Sequence, residues 1–149
     1  MGIVQSYSVG EEMPGLFKSI TQESIDQFEA SGGHTGPSQF TSEDIAREEL
    51  GTRGTVASGR MSLTFAMELL RRYFGGDVYN RTGMADMRFL RPVRPGDTLT
   101  LTGKVTAISP EANGTRVTVG VTIQNQNEDT VGAGTGSAIV PSGLFPPNE

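Results

Sequence analysis

The stretch Ala57-Ser58-Gly59-Arg60-Met61-Ser62-Leu63-Thr64-Phe65-Ala66-Met67-Glu68-Leu69-Leu70-Arg71-Arg72-Tyr73-Phe74-Gly75-Gly76 decides how this chain is read. It has the length and pattern of a helix of about four turns. Ser58 is placed to cap it, its hydroxyl accepting from a first-turn N–H that has no carbonyl partner. Gly75-Gly76 supplies the residue without a Cβ on which helices commonly end. Apolar residues fall at 61, 63, 65, 66, 67, 69, 70, 73 and 74, too many over the first two turns for a single stripe. That half is expected to be surrounded by protein, whereas Glu68, Arg71 and Arg72 mark a wet side farther along. Such a helix, followed by strand-like sequence, implies a core helix wrapped by a curved sheet.

Working outward, Tyr7 to Met13 reads as a short strand, broken by Pro14-Gly15, after which Leu16 to Ser19 extends again. Thr21 caps a second helix, with Ile20 and Ile25 at the two hydrophobic-staple positions. Ile25, Phe28 and Ala30 are expected to face inward, and Ser31-Gly32-Gly33 ends that helix. A loop of small and polar residues follows, His34-Thr35-Gly36-Pro37-Ser38-Gln39-Phe40. Thr41 or Ser42 then caps a helix from Glu43 to Leu50, whose Glu43 and Asp44 suit the positive end of the dipole. After Gly76 the period changes to alternation. Strands are expected over 83–90, 98–108, 116–124 and 130–140. The first connection carries two prolines within Arg91 to Asp97, the second Asn113-Gly114, and the third is Asn125 to Asp129. The result is an α+β domain, an antiparallel sheet around a long central helix.

Composition bounds the function. At 149 residues the chain has the length of one domain, 1–149, with an ordered core expected over about 7–140. A net charge of −5 argues against nucleic acid or a membrane surface as partner. Without cysteine there is neither a disulfide framework nor a thiolate nucleophile, and one histidine, His34, cannot build a multi-histidine zinc site, so no metal is expected. No signal segment and no spanning run of apolar residues is visible, and a cytoplasmic location is the expectation.

Three segments carry a resemblance. Tyr7-Ser8-Val9-Gly10-Glu11-Glu12-Met13-Pro14 with Ile20-Thr21-Gln22-Glu23 and Phe28 is the first, and Ser58-Gly59-Arg60-Met61 is the second. The third is Met87-Arg88-Phe89-Leu90-Arg91-Pro92-Val93-Arg94-Pro95-Gly96-Asp97-Thr98-Leu99. In this order they resemble the MaoC-like hydratase/dehydratase family, a branch of the hot-dog fold. The resemblance implies an enzyme that adds water to a 2-enoyl thioester or removes it from the 3-hydroxy compound. It further implies coenzyme A or phosphopantetheine as the carrier of the substrate rather than a resident cofactor. It also implies a homodimer, or a heterodimer with another hot-dog chain, joined edge to edge.

The family's Asp-x-Asn-Pro-x-His loop supplies an acid/base pair, and a backbone N–H at the start of the central helix polarises the thioester carbonyl. Here Gly33 stands at the Asp position, Phe40 at the usual His, and Ser58 where the family usually has His before the helix glycine. The oxyanion element is retained in Gly59. His34 is the candidate acid/base group, because histidine titrates near neutrality; its alternative is a surface histidine hydrogen-bonded to water. Ser58 and Gly59 complete the expected catalytic set. The substrate-contacting set is Ser38, Gln39, Phe40, Met67, Arg88 and Arg94, with Arg91 in the same basic cluster as a candidate for phosphate. Turn formation, capping and solvated arginines around a Pro-Gly turn explain several of these equally well. Two other readings stay open: a silent subunit that shapes the acyl site for a catalytic partner, and a hot-dog thioesterase.

Overall fold

The computed structural model describes residues 7–33, 36–51 and 54–141. In chain order its elements are β1 (Leu16–Ser19), α1 (Gln22–Ser31), α2 (Glu43–Leu50), α3 (Gly59–Phe74) and α4 (Gly76–Thr82). The strands β2 (Met84–Phe89), β3 (Thr98–Glu111), β4 (Gly114–Gln124) and β5 (Thr130–Val140) follow. The three longer helices start at the caps that their sequences offer. Thr21 forms a reciprocal capping box with Ser24, Ser42 accepts from the Ile45 N–H, and Ser58 accepts from the Met61 N–H.

The strands form one antiparallel sheet in the order β1-β3-β4-β5-β2. Alternation along it is clean, with Leu99, Leu101, Val105, Val117, Val119, Val121 and Ile123 all facing inward at no more than 2 % exposure. Against this face α3 buries Met61, Ser62, Ala66, Leu69, Leu70 and Phe74, a single stripe of about 3.6-residue period. The expectation that its first half would be surrounded is therefore corrected: Leu63, Phe65 and Met67 are only half-buried, because the sheet covers one side of the helix. Phe65 instead lies under the Lys18 ammonium, 5.2 Å from its ring centroid.

Three further corrections have local causes. Residues 7–13 do not form a strand. They make a strap along β3, held by Gly10 N–H to Val105 O, Val105 N–H to Glu11 O and Met13 N–H to Gly103 O, with the Tyr73 hydroxyl donating to Glu11. Burial of Tyr7 against Tyr73 and Phe74, with Glu11 nearby, pushes its phenol up to about 12. On α1, Ala30 is exposed and Glu29 is buried in its stead, since 25, 28 and 29 share one face at helical spacing. Finally, α4 follows α3 directly after Gly75, which bends the chain at φ 89°. Its Tyr79 stacks on Phe74.

Small residues on β5 bring α3 and β2 close. A Cβ at Gly136 would overlap Leu70, and one at Gly134 would collide with the Asp86 carbonyl and Met87. No helix among the described residues is long and apolar enough to cross a membrane. We expect Gly134→Ala to lower stability in urea denaturation by about 3 kcal/mol, the upper part of the usual overpacking range, because the obstruction is backbone. Gly76→Ala, facing open space at an ordinary φ in a helix, leaves the midpoint unchanged or raises it.

Candidate functional site

The N-terminus of α3 forms one wall of a cleft of about 420 Å³, through Ala57, Ser58, Gly59 and Ser62. The chain leaving β2 forms the other wall, through Phe89 to Arg94. The walls are tied together by the Ala57 N–H donating to the Val93 carbonyl at 2.7 Å. Pro92 and Pro95 keep that segment out of the sheet, and Asp97 closes its turn by accepting from the Arg94 N–H at 2.9 Å. As the first residue of α3, Gly59 has an N–H with no intrahelical acceptor. The helix dipole places partial positive charge at the same end.

Beneath this end lies a side chain that the sequence reading passed over. Glu29 is 1 % exposed, although it carries a carboxylate. Its Oε1 accepts from the Arg60 guanidinium at 2.8 Å, and its Oε2 from the Ser58 hydroxyl at 3.2 Å. A buried carboxylate persists only when paired and hydrogen-bonded, and both conditions are met here. Arg60 is half-exposed and sits 5.9 Å from the centroid of the Phe40 ring. The signal in the sequence was an acidic residue four positions after Ile25, on the apolar face of α1.

The expected site residues separate into groups. Ser58 and Gly59 line the cleft, as do Arg91 and Arg94. Phe40 reaches the same helix end through Arg60. Ser38 and Gln39 do not line the cleft: the Ser38 hydroxyl accepts from the Phe40 N–H, and the Gln39 carbonyl from the Val56 N–H, both loop-forming roles. Met67 lies two turns along α3, half-buried against the core. Arg88 pairs with Ala133 and shares the outer face of the sheet with Thr122, opposite to the cleft. His34 lies outside the described residues. Gly33, which the resemblance sets at the family's Asp position, is exposed with φ 85° and open space about its Cα.

Gly59 has a packing reason inside the chain. A Cβ there would stand 2.9 Å from Phe89 Cδ2, so the ring rests on the bare backbone. Replacing Ser58 removes the cap of α3 and one of the two partners of Glu29 at once. Ser58→Ala is expected to lower stability by about 2 kcal/mol in chemical denaturation, the upper part of the capping range, with m unchanged.

The MaoC like domain model matches residues 16–127. No curated protein matches the chain. Among solved structures, the MaoC-like dehydratase of Rhodospirillum rubrum superposes with a TM-score of 0.74 at 22 % identity, covering 95 % of this chain and 96 % of that one. The (R)-hydratase of A. caviae involved in PHA biosynthesis gives 0.72 at 21 % identity, covering 92 % and 99 %. The ChsH1-ChsH2 complex of Mycobacterium tuberculosis gives 0.70 at 18 % identity, covering 89 % and 98 %. With the model spanning most of the chain and a sheet wrapped on a helix in the hot-dog manner, this chain belongs to the MaoC-like family.

Proposed function

We propose that the chain is an enoyl-thioester hydratase/dehydratase that works with a modified acid/base loop. The observation that carries this is the capped start of α3, Ser58-Gly59, set in a cleft whose opposite wall brings Arg91 and Arg94. In this reading the Gly59 N–H donates to the thioester carbonyl and stabilises the charge that develops on its oxygen as water adds to the β-carbon. The two arginines hold phosphates of coenzyme A or of a phosphopantetheine arm by charge-assisted hydrogen bonds. His34 is the group proposed to exchange the proton, since the chain has no other imidazole and no thiol. The purified chain should hydrate short 2-enoyl-CoA thioesters, followed by loss of enoyl absorbance. His34→Ala should lower kcat by about a hundredfold, the share of a positioned acid/base group. Equal activity in the variant would remove His34 from the mechanism.

A second reading is favoured by Gly33, which places no carboxylate at the family's Asp position and stands exposed. In it the chain binds the acyl thioester for a catalytic hot-dog partner, an arrangement for which the similarity to the ChsH1-ChsH2 complex provides a structural parallel. In both readings association occurs through β2. It is an edge strand next to the cleft, with Met84, Phe89 and Leu90 exposed at 61, 42 and 58 %. Light scattering should give the mass of a dimer, and Met84→Lys with Leu90→Lys should give that of a monomer. An inactive chain that binds acyl-CoA and gains activity with a second hot-dog chain supports the partner reading.

A further inference from the structure

Glu29 is the one carboxylate among the described residues that is both fully buried and bonded to a group lining the cleft. The hydrogen-bonding capacity of Ser58 decides what that bond does. A serine hydroxyl has one donor and two acceptor positions. Its donor is spent on Glu29 Oε2, and one acceptor position is filled by the Met61 N–H at 3.4 Å. The position that remains is an acceptor. An ionised carboxylate can only accept, so the Ser58 proton is held toward Glu29 and cannot be offered to a ligand.

We infer that Glu29 is a positioning residue that sets the polarity of Ser58, making this hydroxyl an acceptor for the O–H of the attacking water or of the substrate's 3-hydroxyl. The inference rests on the thioester reading of the cleft. The β-carbon lies two bonds from a carbonyl carbon whose oxygen the Gly59 N–H would hold, and Ser58 is the residue next to that N–H. A water or hydroxyl that gives one hydrogen to Ser58 is oriented with a lone pair free for the β-carbon, and its second proton, or the hydroxyl oxygen, is left to the acid/base group. Arg60 serves the same end. By occupying Oε1, it leaves Oε2 alone to face Ser58.

Glu29→Gln tests this with little change in volume. Its amide must present Oε1 to the Arg60 guanidinium, which has only donors, so Nε2 then donates to Ser58. Both acceptor positions of Ser58 are then filled, and its O–H turns into the cleft. The readout is calorimetric affinity for two ligands, 3-hydroxybutyryl-CoA, whose 3-hydroxyl can donate, and acetoacetyl-CoA, whose 3-carbonyl can only accept, alongside the hydration kinetics. The wild-type chain should prefer the hydroxy thioester by about fivefold, the worth of one ordinary hydrogen bond. Glu29→Gln, whose Ser58 O–H can donate to either ligand, should abolish that preference, keep 3-hydroxybutyryl-CoA affinity within about twofold, and lower kcat by about tenfold or more with KM little changed.

If Glu29→Gln keeps the preference, or if the wild-type chain has none while binding both ligands, the polarity role falls and the thioester reading stands. If the wild-type chain binds neither ligand, the thioester reading falls and takes this inference with it. Should Glu29→Gln not fold, Ser58→Gly decides, because glycine keeps most of the capping of α3 and the Arg60 guanidinium still pairs with Glu29. Loss of the preference in that variant supports the role of Ser58 as acceptor, and its retention overturns it.

Discussion

The contact on which most of the structure depends is that between Leu70 and the bare backbone at Gly136. A helix packs against a sheet at a distance set by the side chains between them, and here one partner has none. The helix α3 therefore sits low on β5, with Leu70 fully buried. Gly134 does the same for the neighbouring strand, letting the backbone of β2 come close beside β5. With both elements drawn in, the start of α3 meets the end of β2, and Gly59 lies under the Phe89 ring. The cleft is a product of these approaches: its two walls are the ends of the two elements that the glycines admit.

What could be read in the sequence was local. The caps at Thr21, Ser42 and Ser58 depend on residues within three positions of each other, and each is used as its side chain allows. The strands from Thr98 onward show a period of two because one face is buried along their whole length. The turn from Arg91 to Asp97 is set by its prolines and by Asp97 itself. By contrast, α4 is seven residues of weak helix formers, held by Tyr79 packing on Phe74, and its own sequence does not announce it. The strap at residues 7–13 has the composition of a strand but only the room for an isolated bridge at Glu12.

The site divides along the same line. Ser58 and Gly59 could be read as the start of α3, which lines the cleft, because a helix start is a local pattern. Glu29 could not be joined to it, because its partner Ser58 is 29 positions away and only the fold brings the end of α1 to the start of α3. Arg88 and Arg91 look alike in sequence, yet strand alternation sends Arg88 to the outer face, while the segment after β2 carries Arg91 to the cleft. A basic cluster in sequence is thus split in space, and charge pattern alone had no means of dividing it.

The sheet is also asymmetric in what it offers to another chain. On its β1 side, β1 covers residues 98–101 of β3 and the strap covers residues 103–105, while Pro110 farther along has no N–H to give. That border is thereby short and interrupted, β1 having only four residues, whereas β2 at the opposite border runs for six with Met84 and Phe89 exposed. The strap and the short β1 thus leave β2 as the longer template that this sheet offers to a further strand.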